Sequence, residues 1–222
     1  MAVMDKCLAQ NNKSRIEAEA TKKRRSRESI VQEYSLERIT SDDLHRLATL
    51  AFDYFDDLFK RRPNVSGRFR GRLLMLALCQ GAALHYVDGL HGVKDFDVWG
   101  FFRALPDVSF PCRLHGRRDF GRSRFGRHPD TDRFEGRRVD ILGRSIDDGP
   151  EEDAIGAVRR WLASGPHGSS AWHLAKRPVI AIYPEPIFGR RIWLPGNQIT
   201  LGETPIECRN EITADSTHVQ LT

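Results

Sequence analysis

Two carboxylates stand two residues apart in the stretch GVKDFDVWGFF, residues 92 to 102, among Val93, Phe96, Val98, Trp99, Phe101 and Phe102. Strand-forming neighbours this apolar normally exclude aspartate. Side chains alternate along a strand, so Asp95 and Asp97 share one face with their α-carbons roughly 6.6 Å apart, close enough to grip the same ion. A third acid, Asp140, lies in GRRVDILGRS, where Val139, Ile141 and Leu142 mark another short strand that could pair beside the first. Carboxylates gathered in this way repel, by roughly 3 kcal/mol for a pair about 6 Å apart at an effective dielectric near 20. A cation or bound protons must offset that cost. The cations on offer are Mg2+ or Mn2+, which take carboxylate oxygens and keep positions for substrate phosphate, and the guanidinium of Arg138, on the same strand face as Asp140.

The elements that must position these acids follow from periodicity. SDDLHRLATLAFDYFDDLFKRRP, from Ser41, has a capping candidate in Ser41, acids in the first turn, and Leu44, Leu47, Leu50, Ala51, Phe55 and Leu58 at helical spacing. Basic residues Lys60 to Arg62 and then Pro63 end that helix. The nearly continuous apolar run RLLMLALCQ, residues 72 to 80, reads as a buried strand, followed by Gly81 and a short helix over AALHYVD. A glycine between strand and helix admits a phosphate to the backbone amides and to the positive end of the helix, although a tight turn alone would also call for glycine. The loop GLHGVK then leads into the Asp95–Asp97 strand. Trp99, on the same face, is read as core packing in preference to base stacking. After Asp140, a helix from Pro150 to Gly165 with Ile155, Val158, Trp161 and Leu162 inward, a short helix Ser169–Lys176 and a strand Val179–Tyr183 complete the pattern.

QGAALHYVDGLHGVKDFDVW followed by RRVDIL resembles the polymerase-beta-like nucleotidyltransferase superfamily over roughly residues 72 to 145. Its signature is a glycine-initiated turn and helix, an acid-x-acid strand about a dozen residues on, and a third acid on an adjacent strand. Gly81, Asp95, Asp97 and Asp140 fall at matching positions, whereas Ala82 stands where members usually have glycine or serine, so a hydroxyl to the triphosphate is missing and backbone amides remain. The resemblance implies a nucleotidyltransferase-like α/β (α+β) module, with a small mixed sheet and flanking helices. It further implies an enzyme, a metal-dependent nucleotidyltransferase that moves a nucleoside monophosphate from a nucleoside triphosphate to an acceptor, with Mg2+ (or Mn2+) as cofactor. Asp95, Asp97 and Asp140 would be the catalytic metal ligands. Gly81, Ala82, Lys94, Arg138 and Lys176 are the nucleotide-binding candidates; Lys176, with Arg177, either reaches substrate phosphate or is an ordinary charge at a helix C-terminus.

Between the acid strands, nine arginines from Arg113 to Arg138 face four acids and several glycines. This stretch reads as a loop or irregular hairpin. Arg117, Arg118, Arg122 and Arg124 are candidate acceptor contacts, with Phe120 and Phe125 able to stack on bases. The opposing reading is a solvated loop pinned by its own acids. An RNA, protein or small-molecule acceptor stays open, and the alternative function is a catalytically inactive module of the same type that binds RNA or another polyanion through these arginines.

Composition sets the frame. A chain of 222 residues, 40% hydrophobic, supports one core-bearing domain, expected over 41 to 195, with a polar basic extension at 1 to 40 containing KKRRSR and a polar tail at 196 to 222. There is no run long enough for a membrane span and no secretory leader pattern, so a cytoplasmic location is expected, with no membrane partner. Cys7, Cys79, Cys112 and Cys208 show no metal or redox spacing. The net charge of +5 is modest; its concentration in the arginine loop matters more.

Overall fold

The computed structural model describes residues 34–111, 115–147, 149 and 153–196. The expectations for residues 1–33 and 197–222 lie outside them. The described chain is a mixed α+β fold built on a six-stranded mixed sheet. Helix α1 (Ser41–Arg61) starts one residue earlier than a Ser41 cap implies: Thr40 is the N-cap, and the Asp43 carboxylate accepts from Thr40 N at 2.7 Å and Thr40 Oγ1 at 2.9 Å. Its apolar stripe, Leu44, Leu47, Ala51, Phe55 and Leu58, is buried as the spacing requires. Pro63 ends α1 and also opens α2 (Pro63–Phe69), a position where its missing N–H costs nothing, and Phe69 at the far end is buried.

Strand β1 (Leu73–Cys79) runs directly into α3 (Gln80–Asp88), then β2 (Phe96–Arg103), β3 (His115–Asp119), β4 (Arg138–Ile146), α4 (Ala154–Ala163), α5 (Ser170–Leu174), β5 (Val179–Tyr183), a 3-10 turn over Glu185–Ile187, and β6 (Arg191–Trp193). The sheet order is β3-β4-β2-β1-β5-β6, with β2 and β4 parallel and the other pairs antiparallel. Two of these strands go beyond the pattern read from sequence. The first residues of the arginine-rich stretch form β3, whose glycine and charges hide it from a strand pattern, and β6 is only three residues long.

The sheet is covered on both faces. On one, α1 and α2 pack over Leu76, Leu78, Phe96, Val98, Phe102, Val139 and Ile141. Gly100 and Gly143 are partners across β2 and β4; a Cβ on Gly100 would come within 2.6 Å of the Phe55 ring and one on Gly143 within 2.1 Å of the Phe110 ring, so glycine is what lets those rings lie on the sheet. On the other face, α4 and α5 cover Met75, Ala77, Phe101, Ile146 and Val179. Residues before Ser41 also join the fold: Ser35 bridges to Val93, and Ile39 is buried. Among the described residues no helix is long and apolar enough to cross a membrane.

Candidate functional site

The central parallel register decides where the acids meet. Asp97 is the direct partner of Asp140 across β2 and β4, and the row continues to Cys79 on β1 and Arg117 on β3. Because side chains alternate, Asp97 and Asp140 emerge on the face that α4 and α5 cover further along, at Phe101 and Ile146. Asp97 borders a cleft there, whereas Asp140 is buried behind it. Asp95 lies one residue before β2 begins and joins the cluster through Arg138: Nη2 is 2.6 Å from Asp95 Oδ2, and Nε is 2.9 Å from Asp140 Oδ2. The three predicted acids are therefore brought together, with a guanidinium between two of them. No three His, Cys, Asp or Glu side chains among the described residues form a ready-made metal cage.

Asp140 is buried and crowded by basic side chains. His115 Nε2 is 3.1 Å from its Oδ1, Arg117 Nε 3.6 Å from the same oxygen, and Arg138 takes the other. His115 escaped the sequence reading because the contact depends on β3 pairing with β4; its only sequence signal is a place two residues before Arg117. Asp97 is the opposite case. Its carboxylate has no hydrogen bond or ion pair among the described residues, and its pKa is pushed up to about 7, chiefly by burial, then by the charges of Asp95 and Asp140, against the opposing pull of Arg138 and Arg177. Across the strand, burial first and Asp97 second hold the Cys79 thiol well above its ordinary range, so it is an inert neutral group.

Asp95 and Asp97 open onto a cleft of about 450 Å³ whose wall is the start of α3 and whose floor includes Trp99 and Leu142. Trp99 is half-buried, near-parallel to Phe101 at 6.4 Å, with part of its surface left to the cleft. The junction differs from the expected glycine turn by one residue: Gln80 carries the positive φ of 59°, and Gly81 already belongs to the helix. A Cβ on Gly81 would meet only the mobile tip of Arg177, at 3.4 Å, so the protein's own packing does not demand glycine there. Ala82, beside it, is buried and also borders the cleft.

The predicted cations divide. Lys94 borders the cleft but is held by Asp130 at 2.7 Å, a bond that raises its pKa. Arg138 is at the acids. Lys176 turns away and lies over the Trp172 ring at 3.2 Å, whereas its neighbour Arg177 borders the cleft. Of the candidate acceptor arginines, Arg117 faces Asp140. Arg118 reaches Asp57 at 2.7 Å and covers Tyr54, Arg122 pairs with Glu135 at 3.3 Å, and Arg124 binds Asp43 and the Arg38 carbonyl. Phe120 and Phe125 are buried against Phe96, at 4.8 and 5.3 Å between ring centres, so they are core residues and are not available to stack on bases.

No family model matches the chain, and no curated protein or solved structure matches it.

Proposed function

We propose that the cleft binds a nucleoside triphosphate and that the chain is a Mg2+-dependent nucleotidyltransferase of the polymerase-beta-like kind, acting on an acceptor hydroxyl. The observation that carries this reading is the pairing of Asp97 with Asp140 in the parallel β2–β4 register, beside a cleft walled by the Gly81 end of α3. A fixed strand pair holds two carboxylates with little freedom, which is what metal-assisted phosphoryl chemistry asks of its ligands.

The donors suit Mg2+ or Mn2+ by kind, being carboxylate oxygens, and Asp97 has both of its own without a partner among the described residues. Asp95 and Asp97 would hold the ion that accompanies the triphosphate, and Asp140 with one of them the ion nearest the acceptor. Bound there, a divalent ion would neutralise charge on the phosphates and lower the pKa of the acceptor hydroxyl. The chain's own residues supply the rest. The amides at Gly81 and Ala82 face phosphate at the positive end of α3, and Arg177 adds charge on the same side. In the transfer, the acceptor oxygen bonds to the α-phosphorus and the bond to the bridging oxygen breaks. Pyrophosphate leaves with that electron pair, and the hydroxyl proton passes to a carboxylate oxygen of the cluster.

A second reading has its own observation. Arg138 bridges Asp95 and Asp140, as it would in a catalytically quiet module that only binds nucleotide or polyanion. Its RNA form is less favoured, because Arg118 and Arg124 are already engaged with acids on α1. Incubation with each labelled nucleoside triphosphate and Mg2+, with total RNA or cell extract as acceptor, separates the readings. Label transfer that disappears in Asp97→Asn supports the enzyme; triphosphate binding without transfer to any acceptor leaves the quiet module.

A further inference from the structure

We infer that Arg138 is the resident cation of the acid site, and that a divalent ion enters by displacing it. This rests on the reading of the cleft as a metal-dependent nucleotide site. One guanidinium spans two of the three carboxylates, at 2.6 Å to Asp95 and 2.9 Å to Asp140, and so occupies the electrostatic role a metal would take.

Two features mark this contact as an exchangeable occupant and distinguish it from a built structural bridge. A structural arginine bridge is typically a fork in which each N–H points at its oxygen. Here the Nε–H near Asp140 is buried but not aimed at any acceptor, so one arm is an ion pair without a hydrogen bond. The bridge also leaves Asp97, which borders the cleft beside Asp95, without a partner among the described residues, so the charge of the cluster is only partly offset. Neither fault would persist with an ion among the three acids and Arg138 swung clear. Both Arg138 and Asp95 keep about a quarter of their side-chain surface in contact with solvent, so a path for that movement exists. His115 and Arg117 would remain on Asp140 and keep its carboxylate oriented while Arg138 leaves. Arg138 is thus a positioning residue that holds the metal-free site together and competes with the ion.

The test is Mn2+ affinity of the full chain after chelator treatment, followed by the paramagnetic signal of free Mn2+, together with thermal denaturation with and without Mn2+. A site closed by Arg138 in at least nine molecules of ten reduces apparent affinity about tenfold, so Arg138→Gln is expected to bind Mn2+ at least about tenfold more tightly than wild type. Without metal, the same variant should melt at lower temperature, because its carboxylates lose their counter-charge, and Mn2+ should restore it beyond the wild-type gain. Arg138→Lys, which cannot span both acids, should fall between the two and serves if Arg138→Gln does not fold. If wild type binds Mn2+ and neither variant binds it more tightly, the inference is overturned while the metal-site reading stands. If no form binds Mn2+, with or without a nucleoside triphosphate, both are overturned.

Discussion

Asp97 ties the stability of the fold to pH through one titration. Its carboxyl ionises near 3.8 in the unfolded chain and about 7 in the fold, so below about pH 4 it is neutral in both states and carries no penalty. As pH rises from about 4 to about 7 the unfolded chain ionises first, and the fold loses stability across that window. Asp97→Asn should therefore stabilise the metal-free protein at pH 8 by roughly 4 kcal/mol and give almost no gain near pH 3.5, as read from urea denaturation at the two values. If the site takes a divalent ion as proposed, that ion should reverse the ranking, since the wild-type carboxylate would supply an ionised ligand and ion affinity should climb through pH 7. Gly81 offers a second test. Because a Cβ there meets only Arg177, Gly81→Ala should fold and gain up to about 1 kcal/mol from helix propensity. If the cleft takes a triphosphate as proposed, isothermal titration should nonetheless show weaker binding, as the methyl group would fill space between the phosphates and the backbone. Unchanged affinity would assign Gly81 a purely local role.

At the level of elements, the arginine-rich stretch between β3 and β4 is a clasped loop. Asp119 accepts backbone N–H bonds from Gly121, Glu135 and Gly136 at 2.8, 2.6 and 3.0 Å, closing the loop at its base. Burial pushes its pKa up, but those three bonds outweigh burial and hold it below the usual carboxylate value. The stability they contribute is complete above about pH 4 and is lost as pH falls through the lowered pKa. Asp119→Ala should cost roughly 2 kcal/mol at pH 7 and expose the loop to proteolysis between Gly121 and Gly136, visible as a new cleavage fragment. The clasp also shows what was legible in the sequence. Helix α1, strands β1, β2 and β4 and the acid trio could be read because apolar residues recur at clean periods around them. The cap at Thr40, the strand β3 and the contact from His115 could not, because each is fixed by a partner distant in sequence or by neighbours that break the pattern. Lys176 and Arg177 show the same limit. Adjacent charges at a helix end look alike in sequence, and only the packing of Trp172 decides which of them turns away.

For the whole molecule, the distribution of charge separates architecture from binding. Arg118 and Arg124 tie the loop to α1 through Asp57 and Asp43, while Arg122 remains 86% exposed beside Glu135. Replacing Arg118 and Arg124 with Gln should lower stability by roughly 2 kcal/mol in total and leave the salt dependence of any RNA binding nearly unchanged, as followed by denaturation and by filter binding at several salt concentrations. A fall of about 0.7 to 0.9 in the logarithmic salt slope per arginine removed would instead make them phosphate contacts. Strand β2, finally, lies between β4 and β1 and is flanked by core on both faces: Phe96, Val98 and Phe102 face α1, and Phe101 faces α4. Its amide hydrogens should therefore exchange with deuterium only when the entire domain opens, whereas those of residues 89 to 94, at the cleft rim, should exchange through small local openings. Asp97 is thus mounted on the last part of the chain to come apart, so its pairing with Asp140 should outlast the local openings of the cleft rim under heat or denaturant.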